Sequence, residues 1–321
     1  MIPQEITMKK LKFVVSLTND DNDYQIEQAA SAERAARKTG VSLQILYAQN
    51  DPILQSQQLL KIIQSNLEGH PDGIIFEPAG GTAMPQVAQA AVAAGIGWVV
   101  LNRETEYLDG LRNRYHVPAF AITSDHEEIG RIQGRQLKAL LPKGGSALYI
   151  QGPAESLAAK QRTIGLYETK PANVDVKLMK AQWTESSAHK AVTSWLKLAT
   201  SQRAGIDAIA AQDDSMAMGA RRAFEEIAER DIRDRWLSLP FIGCDGMPQT
   251  GQAWVKNGIL AATIYVPPNA GQAIEMLANA LNSHSMPPEQ TLTVATSIPA
   301  LDALSAVQRD GSRGATAGSG V

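Results

Sequence analysis

Short apolar runs alternate along this chain with longer stretches in which apolar residues recur every three or four positions, a pattern that predicts strands and helices in turn. The first run, Leu11–Leu17, leads into a helix ending near Lys38, where Gly40 can take the left-handed conformation that closes a helix. A strand at Ser42–Tyr47 follows. Asp51-Pro52 then supplies an N-cap and a first-turn proline for a helix reaching about Leu67. Strand Gly73–Phe76, helix Met84–Ala94 and strand Gly97–Leu101 come next. Arg103–Tyr115, rich in Arg, Asn and Tyr, reads as a loop. A strand at Ala119–Thr123 runs into Asp125-His126-Glu127-Glu128, the D-x-x-E pattern of a capping box, which opens a helix to Leu141.

Pro142-Lys143-Gly144-Gly145 interrupts the chain, and the pattern then begins again. Strands are expected at Ser146–Gln151, Val174–Ala181, Ile206–Ala211, Phe241–Cys244 and Leu260–Tyr265. Helices fill the gaps at about Ala154–Glu168, Glu185–Thr200, Ser215–Arg230 and Met247–Lys256. A helix near Asn269–Asn282 and a strand near Leu292–Thr296 follow Pro267-Pro268. Strand–helix alternation of this kind is built from βαβ units, so the expected class is α/β, with two doubly wound parallel-sheet lobes. The length of 321 residues agrees with two domains at roughly 150 residues each.

Composition then removes several functions. Charged residues make up 20% of the chain and the net charge is −3, which leaves no electrostatic footprint for nucleic acid. Cys244 stands alone, and His70, His116, His126, His189 and His284 include no close pair, so no metal site is expected. Apolar runs such as Trp98–Leu101 fall far short of the roughly 20 residues that cross a bilayer. Met8-Lys9-Lys10 ahead of Leu11–Leu17 faintly imitates a signal peptide without its cleavage site, and reads as the approach to the first strand. An exported protein in mature form and a cytoplasmic one both fit. Gly95-x-Gly97 precedes a strand instead of following one, and no P-loop or nucleophile elbow occurs. Asp213 and Asp214 are adjacent, so they point different ways and make a poor acid/base pair. Neither an enzyme nor a cofactor is expected.

Ligands of open α/β sheets bind beyond the carboxyl ends of the strands, and the residues there are polar. Asn19, Asp20, Asn22 and Tyr24 follow the first strand, Glu77 the third, Asn102 and Arg103 the fourth. In the second half come Gln151, Trp183, Gln212 with Asp213, Asp245 and Tyr265. Carboxylates, amides and guanidinium groups beside aromatic faces suit a small hydroxyl-rich ligand such as a sugar. Each residue also has a plainer reading: Asp213 as a helix N-cap, Arg162 as a solvated helical arginine, Asp245-Gly246 as a turn, Trp183 as packing. Trp98, inside an apolar run, reads as core.

Five stretches occur in one order: Asn102-Arg103, Gln151-Gly152 with Ala159-Lys160-Gln161-Arg162, Ala211-Gln212-Asp213-Asp214-Ser215-Met216-Ala217-Met218-Gly219-Ala220, Ile242-Gly243-Cys244-Asp245-Gly246, and Gly258 to Ile264. Together they resemble the type I periplasmic sugar-binding proteins, the ribose-binding-protein-like solute receptors of ABC transporters. The resemblance implies that Arg103, Arg162, Asp213 and Asp245 hydrogen-bond sugar hydroxyls with Asn102 beside them, and that Tyr24, Gln25 and Trp183 stand at aromatic and polar positions of the site. Asn22, Glu77 and Tyr265 complete the candidate set. The chain departs from the family's pattern where Glu77 replaces an amide, Asp213 an asparagine, and Tyr265-Val266 another amide. These departures point away from ribose, toward a ligand with more donor hydroxyls or a positive group.

The resemblance further implies an N-terminal lobe of residues 9–123 and 267–294, a C-terminal lobe of 124–266 and 295–308, a three-segment hinge, and a disordered tail over 309–321. It implies a periplasmic monomer that captures a small carbohydrate between its lobes and delivers it to a permease. The effector domain of LacI-type regulators shares this architecture, so a cytoplasmic sugar sensor acting through a partner is the alternative. Only ten residues precede the first strand, against some 50 to 60 for a helix-turn-helix headpiece.

Overall fold

The computed structural model describes residues 10–65, 69–80, 83–198, 201 and 205–304. The chain divides into two units, Met1–Thr123 with Pro268–Thr293, and Ser124–Pro267 with Val294–Val321. Asp310–Val321, the Met8-Lys9 approach and the expected helix ends at Leu67 and Thr200 lie outside the described residues.

The first unit is built on a sheet of β1 (Lys12–Leu17), β2 (Ser42–Tyr47), β3 (Gly73–Phe76), β4 (Gly97–Leu101), β5 (Ala119–Ser124) and β11 (Gln290–Thr293), in the order β11-β5-β4-β3-β1-β2. Strands β1 to β5 pair in parallel. Helices α1 (Asp23–Thr39), α2 (Pro52–Ile63), α3 (Pro85–Ala93), α4 (Leu108–Tyr115) and α11 (Ala270–Ser283) surround it. Side chains alternate across a strand, so Phe13, Val15 and Leu17 join α1 and α11 in one core while Val14 joins α2 and α3 in the other. Trp98 is fully buried in the second core, its indole N–H donating to the Tyr107 hydroxyl at 3.1 Å. Both faces are covered, which is why these strands read as unbroken apolar runs.

The second unit has a parallel sheet of β6 (Gly145–Gln151), β7 (Val174–Lys180), β8 (Ala208–Ala211) and β9 (Phe241–Ile242) in the order β7-β6-β8-β9. Helices α5 (His126–Leu140), α6 (Leu157–Thr169), α7 (Glu185–Leu196), α8 (Asp214–Glu225), α9 (Arg230–Leu237) and α10 (Gly251–Lys256) are among those that pack with it. α5 and α6 cross at glycines. A Cβ on Gly130 would stand 2.0 Å from the Arg162 carbonyl oxygen, and one on Gly165 1.9 Å from that of Glu127. Among the described residues no helix is long and apolar enough to cross a membrane.

Several expectations are corrected. The expected loop Arg103–Tyr115 holds α4, anchored by its own Arg112, whose guanidinium donates to the carbonyls of Ala119 and Pro287 at 2.7 Å each. The helix expected over Ser215–Arg230 ends at Glu225, and a separate α9 brings Trp236 to stack on Phe224 at 4.7 Å. Of the run Leu260–Tyr265 only β10 (Thr263–Tyr265) is strand. It pairs antiparallel with β12 (Thr296–Ile298) and touches the parallel sheet's end through bridges at Ile242–Ala262 and Asp245–Tyr265. The single strand expected near Leu292–Thr296 is split between β11 and β12, one in each unit. The capping box is half made: Asp125 Oδ1 accepts from Glu128 N–H at 2.8 Å, while the Glu128 carboxylate turns to Arg131 and Arg135.

Candidate functional site

In the first unit the residues past the strand ends form one hydrogen-bonded network. Asn22 caps α1, its Oδ1 accepting from the backbone N–H groups of Tyr24 (2.9 Å) and Gln25 (3.3 Å). This sets the first turn so that Gln25, 5% exposed, donates from Nε2 to Glu77 Oε2 at 2.9 Å and accepts from Thr18 N–H at 3.2 Å. One turn on, buried Gln28 donates to the same Glu77 oxygen at 3.4 Å and to Asn269 Oδ1 at 2.8 Å. Asn269 Nδ2 in turn donates to Asn102 Oδ1 at 2.8 Å, and Asn102 Nδ2 to the Tyr24 hydroxyl at 3.2 Å. Asn22, Tyr24, Gln25, Glu77 and Asn102 are therefore one assembly. Arg103 follows Asn102, and burial lowers its pKa while the charge of Glu77 raises it.

The second unit gathers the other set around Arg162, on the buried face of α6 and 7% exposed. Its Nη1 donates to the Gln212 carbonyl oxygen, lies 3.5 Å from Cys244 Sγ and 3.9 Å from Asp245 Oδ1, and its guanidinium stands 5.5 Å from the Trp183 ring centre. Its buried Nε has no hydrogen-bond partner among the described residues. Trp183 lies against Gly152, where a Cβ would stand 2.4 Å from the indole. Gln212 is satisfied by structure: Nε2 donates to Tyr149 Oη (2.7 Å) and the Ala159 carbonyl (2.9 Å), and Oε1 accepts from Gly152 N–H (2.9 Å). Asp213 is the N-cap of α8, accepting from Met216 N–H.

Asp214 goes elsewhere. At 3% exposure it accepts from Gly246 N–H at 2.7 Å and from the Thr263 hydroxyl at 2.6 Å. A Cβ on Gly243 or Gly251 would stand 2.1 or 2.0 Å from its oxygens, so glycines make the room it occupies. Its anchor holds the Asp245-Gly246 turn, in which Asp245 has φ 98. Asn102 (φ 54) and Trp183 (φ 55) share this left-handed sign, which costs a non-glycine residue of order 1–3 kcal/mol and gathers at functional sites. Backbone bonds from Asp245 N–H to the Ile264 carbonyl (2.9 Å) and from Val266 N–H to the Asp245 carbonyl (3.0 Å) bring Tyr265 beside Asp245. Burial, then the charge of Asp245, raises the Asp214 carboxyl well above its ordinary pKa. Burial likewise raises the Cys244 thiol, against the pull of Arg162.

The eleven sequence-derived residues thus fall into two sets, five of the first unit in one network with Arg103 adjoining, and in the second unit Arg162 with four others, Trp183, Asp213, Asp245 and Tyr265. Gln28, Asn269 and Asp214 were not among them. The signals were present: Gln25 and Gln28 lie three apart on one helix face, Asn269 follows Pro267-Pro268, and Asp214 is the neighbour of Asp213 that must point away from it.

Acceptors, amides and two arginines set beyond the carboxyl ends of parallel strands, once in each of two α/β units, define a solute-binding protein. The periplasmic binding protein domain family matches residues 13–285, and the chain belongs to it, as one of the type I sugar-binding proteins. A Rhizobium meliloti protein bearing the name "Putative rhizopine-binding protein" is 30% identical over 221 residues, which is 67% of this chain but only 64%, less than two thirds, of that protein's length. The ribose import binding protein of Salmonella typhimurium is 26% identical over 79% of this chain and 78% of its own. Among solved structures, a solute-binding protein of Actinobacillus succinogenes with bound D-allose has the same fold, at a TM-score of 0.76 and 21% identity over 90% of this chain and 97% of that one.

Proposed function

We propose that this protein is a periplasmic receptor that binds one small sugar or sugar-like polyol and delivers it, chemically unchanged, to the permease of an ABC transporter. The observation that carries this reading is the pair of preorganised polar sets, one per unit, each at the carboxyl ends of a parallel sheet. Tyr24, Glu77, Asn102 and Arg103 hydrogen-bond one part of the ligand, and Arg162, Asp213 and Asp245 another, with Trp183 and Tyr265 against the apolar face of the ring. Asn22 and Gln25 hold Tyr24 and Glu77 in place and complete the first set. Because each unit supplies only part of the bonds, the liganded protein favours the conformation in which both sets are engaged, and that conformation is what the permease recognises.

Relatives of this chain are named for ribose, xylitol and D-xylose, and neighbours of its fold hold D-allose or myo-inositol, so pentoses, hexoses and cyclitols are the ligand class. No cofactor and no second subunit enter the reading. A thermal-shift screen over pentoses, hexoses, polyols, cyclitols and amino sugars tests it. At least one compound raises the melting temperature in a dose-dependent way; a panel that leaves it unmoved throughout contradicts the assignment.

A further inference from the structure

We propose that the free sheet edge of the second unit, strand β7 with the flank of α6 beside it, is a docking surface for a second copy of this chain, which pairs with it about a two-fold axis at Val176. The receptor reading needs one chain only; this inference goes beyond it and replaces the expected monomer by a dimer.

β7 ends the order β7-β6-β8-β9, so among the described residues one of its sides has no neighbouring strand. Ala181 N–H donates to the Gln151 carbonyl at 2.8 Å and therefore faces β6. Backbone groups point to alternate sides along a paired strand, so the N–H and carbonyl groups of Val176 and Leu178 face outward. Such a row is a template for a further strand. The side chains around it are apolar. Leu157, Ile164 and Tyr167 of α6 and Leu178 of β7 are each 41–50% exposed. The three on α6 follow at spacings of seven and three, which is one helix face, and it is the flank turned away from α5, whose own contacts with α6 run through Gly165 and Thr169. Lys170, directly after α6, donates to the Val174 carbonyl at 2.8 Å and so sets this flank at the β7 edge.

The residues of the edge select what fits it. Val174-Asp175-Val176-Lys177-Leu178 carries opposite charges at equal distances from Val176. An antiparallel copy centred there sets Val176 against the partner's Val176, Asp175 against the partner's Lys177, and Lys177 against the partner's Asp175. Val176 faces outward, so its pair is a hydrogen-bonded one, and the Asp–Lys pairs on either side fall at non-hydrogen-bonded positions, where cross-strand side chains lie closest. Symmetry makes each contact twice, as a two-fold interface requires. Moving the centre by one residue sets Lys177 against the partner's Lys177 or Asp175 against the partner's Asp175, so the charges also fix the register. Asp175 and Lys177 are exposed, and neither is engaged in an ion pair within its own chain among the described residues.

Sedimentation velocity of the full chain over a dilution series is the test. Wild type sediments as a dimer at high concentration and dissociates on dilution, more readily in high salt. Asp175→Lys and Lys177→Asp each set two pairs of like charges opposite one another and weaken the dimer about tenfold or more. The double variant Asp175→Lys/Lys177→Asp reverses both signs and restores it. Both positions are exposed and lie outside the two ligand-binding sets, so far-UV circular dichroism and the affinity for the ligand found in the screen keep their wild-type values in all three variants. A wild type that stays monomeric at every concentration, as it does if the edge serves another extended segment, overturns the proposal. So does a dimer that is indifferent to both single substitutions or that the double variant fails to restore. In each of these cases the receptor reading stands, since it is judged by ligand binding alone.

Discussion

At the residue scale the site is organised by a few side chains whose other partners are protein. Arg162 is held by Gln212 and Cys244 on one side and by Trp183 on the other, so its rotamer is set without ligand. Removing one member of a buried charged pair typically costs about 2–5 kcal/mol of binding. Arg162→Ala and Asp245→Ala are each expected to weaken the ligand found in the screen by that amount, with far-UV circular dichroism unchanged; wild-type affinity in either would show that the pocket lies elsewhere. Asp214 gives a pH signature. Its folded pKa lies above its unfolded value, so the folded protein holds the proton longer, and the associated stability is full below pH ~4 and is lost as the pH rises toward the folded value. Asp214→Asn lacks that titration, and its melting temperature should therefore decline less than that of wild type as the pH rises from ~4. Parallel pH profiles would contradict the assignment. Strand-end position made Asp213 and Asp245 candidates but not Asp214, because a buried carboxyl is identified by the glycines around it, and Gly243 and Gly251 lie far along the chain.

At the element scale, what places Arg162 is the close crossing of α5 and α6. Gly130 and Gly165 let the two backbones approach to where a Cβ has no room, the nearest atoms being backbone carbonyls that cannot step aside. Overpacking of this kind typically costs about 1–3 kcal/mol. Gly165→Ala should lower the urea midpoint and, by displacing α6, weaken ligand as well. Gly110, in α4, has nothing within 4 Å of its Cβ position, and Gly110→Ala should raise stability by about 0.5–1 kcal/mol through helix propensity, with affinity unaffected. Equal midpoints for the two alanine variants would refute this account of the crossing. The alternation of strands and helices was readable because strands buried on both faces leave unbroken apolar runs, as in Gly97–Leu101. Helix α4 was not, since its mean character is polar and its anchor, Arg112 to the carbonyls of Ala119 and Pro287, is tertiary. The split of β11 from β12 was hidden for a similar reason: neither Gln290–Thr293 nor Thr296–Ile298 has an apolar run, and each is strand only because a partner lies beside it.

At the scale of the whole molecule, two units with separate cores each carry one polar set, and the chain passes between them three times. The sequence disclosed this through the restart of the pattern after Pro142-Lys143-Gly144-Gly145, and through residues near 268–293 that return to the first unit, where Asn269 completes a network begun at Tyr24. The ligand's identity was not legible, since hydroxyl patterns are read by geometry and not by residue type. The central claim is that both sets serve one ligand. Calorimetric titration of the best ligand from the screen into wild type, Asn102→Ala of the first unit and Asp245→Ala of the second tests it most directly. One-to-one binding by wild type, weakened at least tenfold by either substitution, is the predicted result; undiminished affinity in either variant would contradict it.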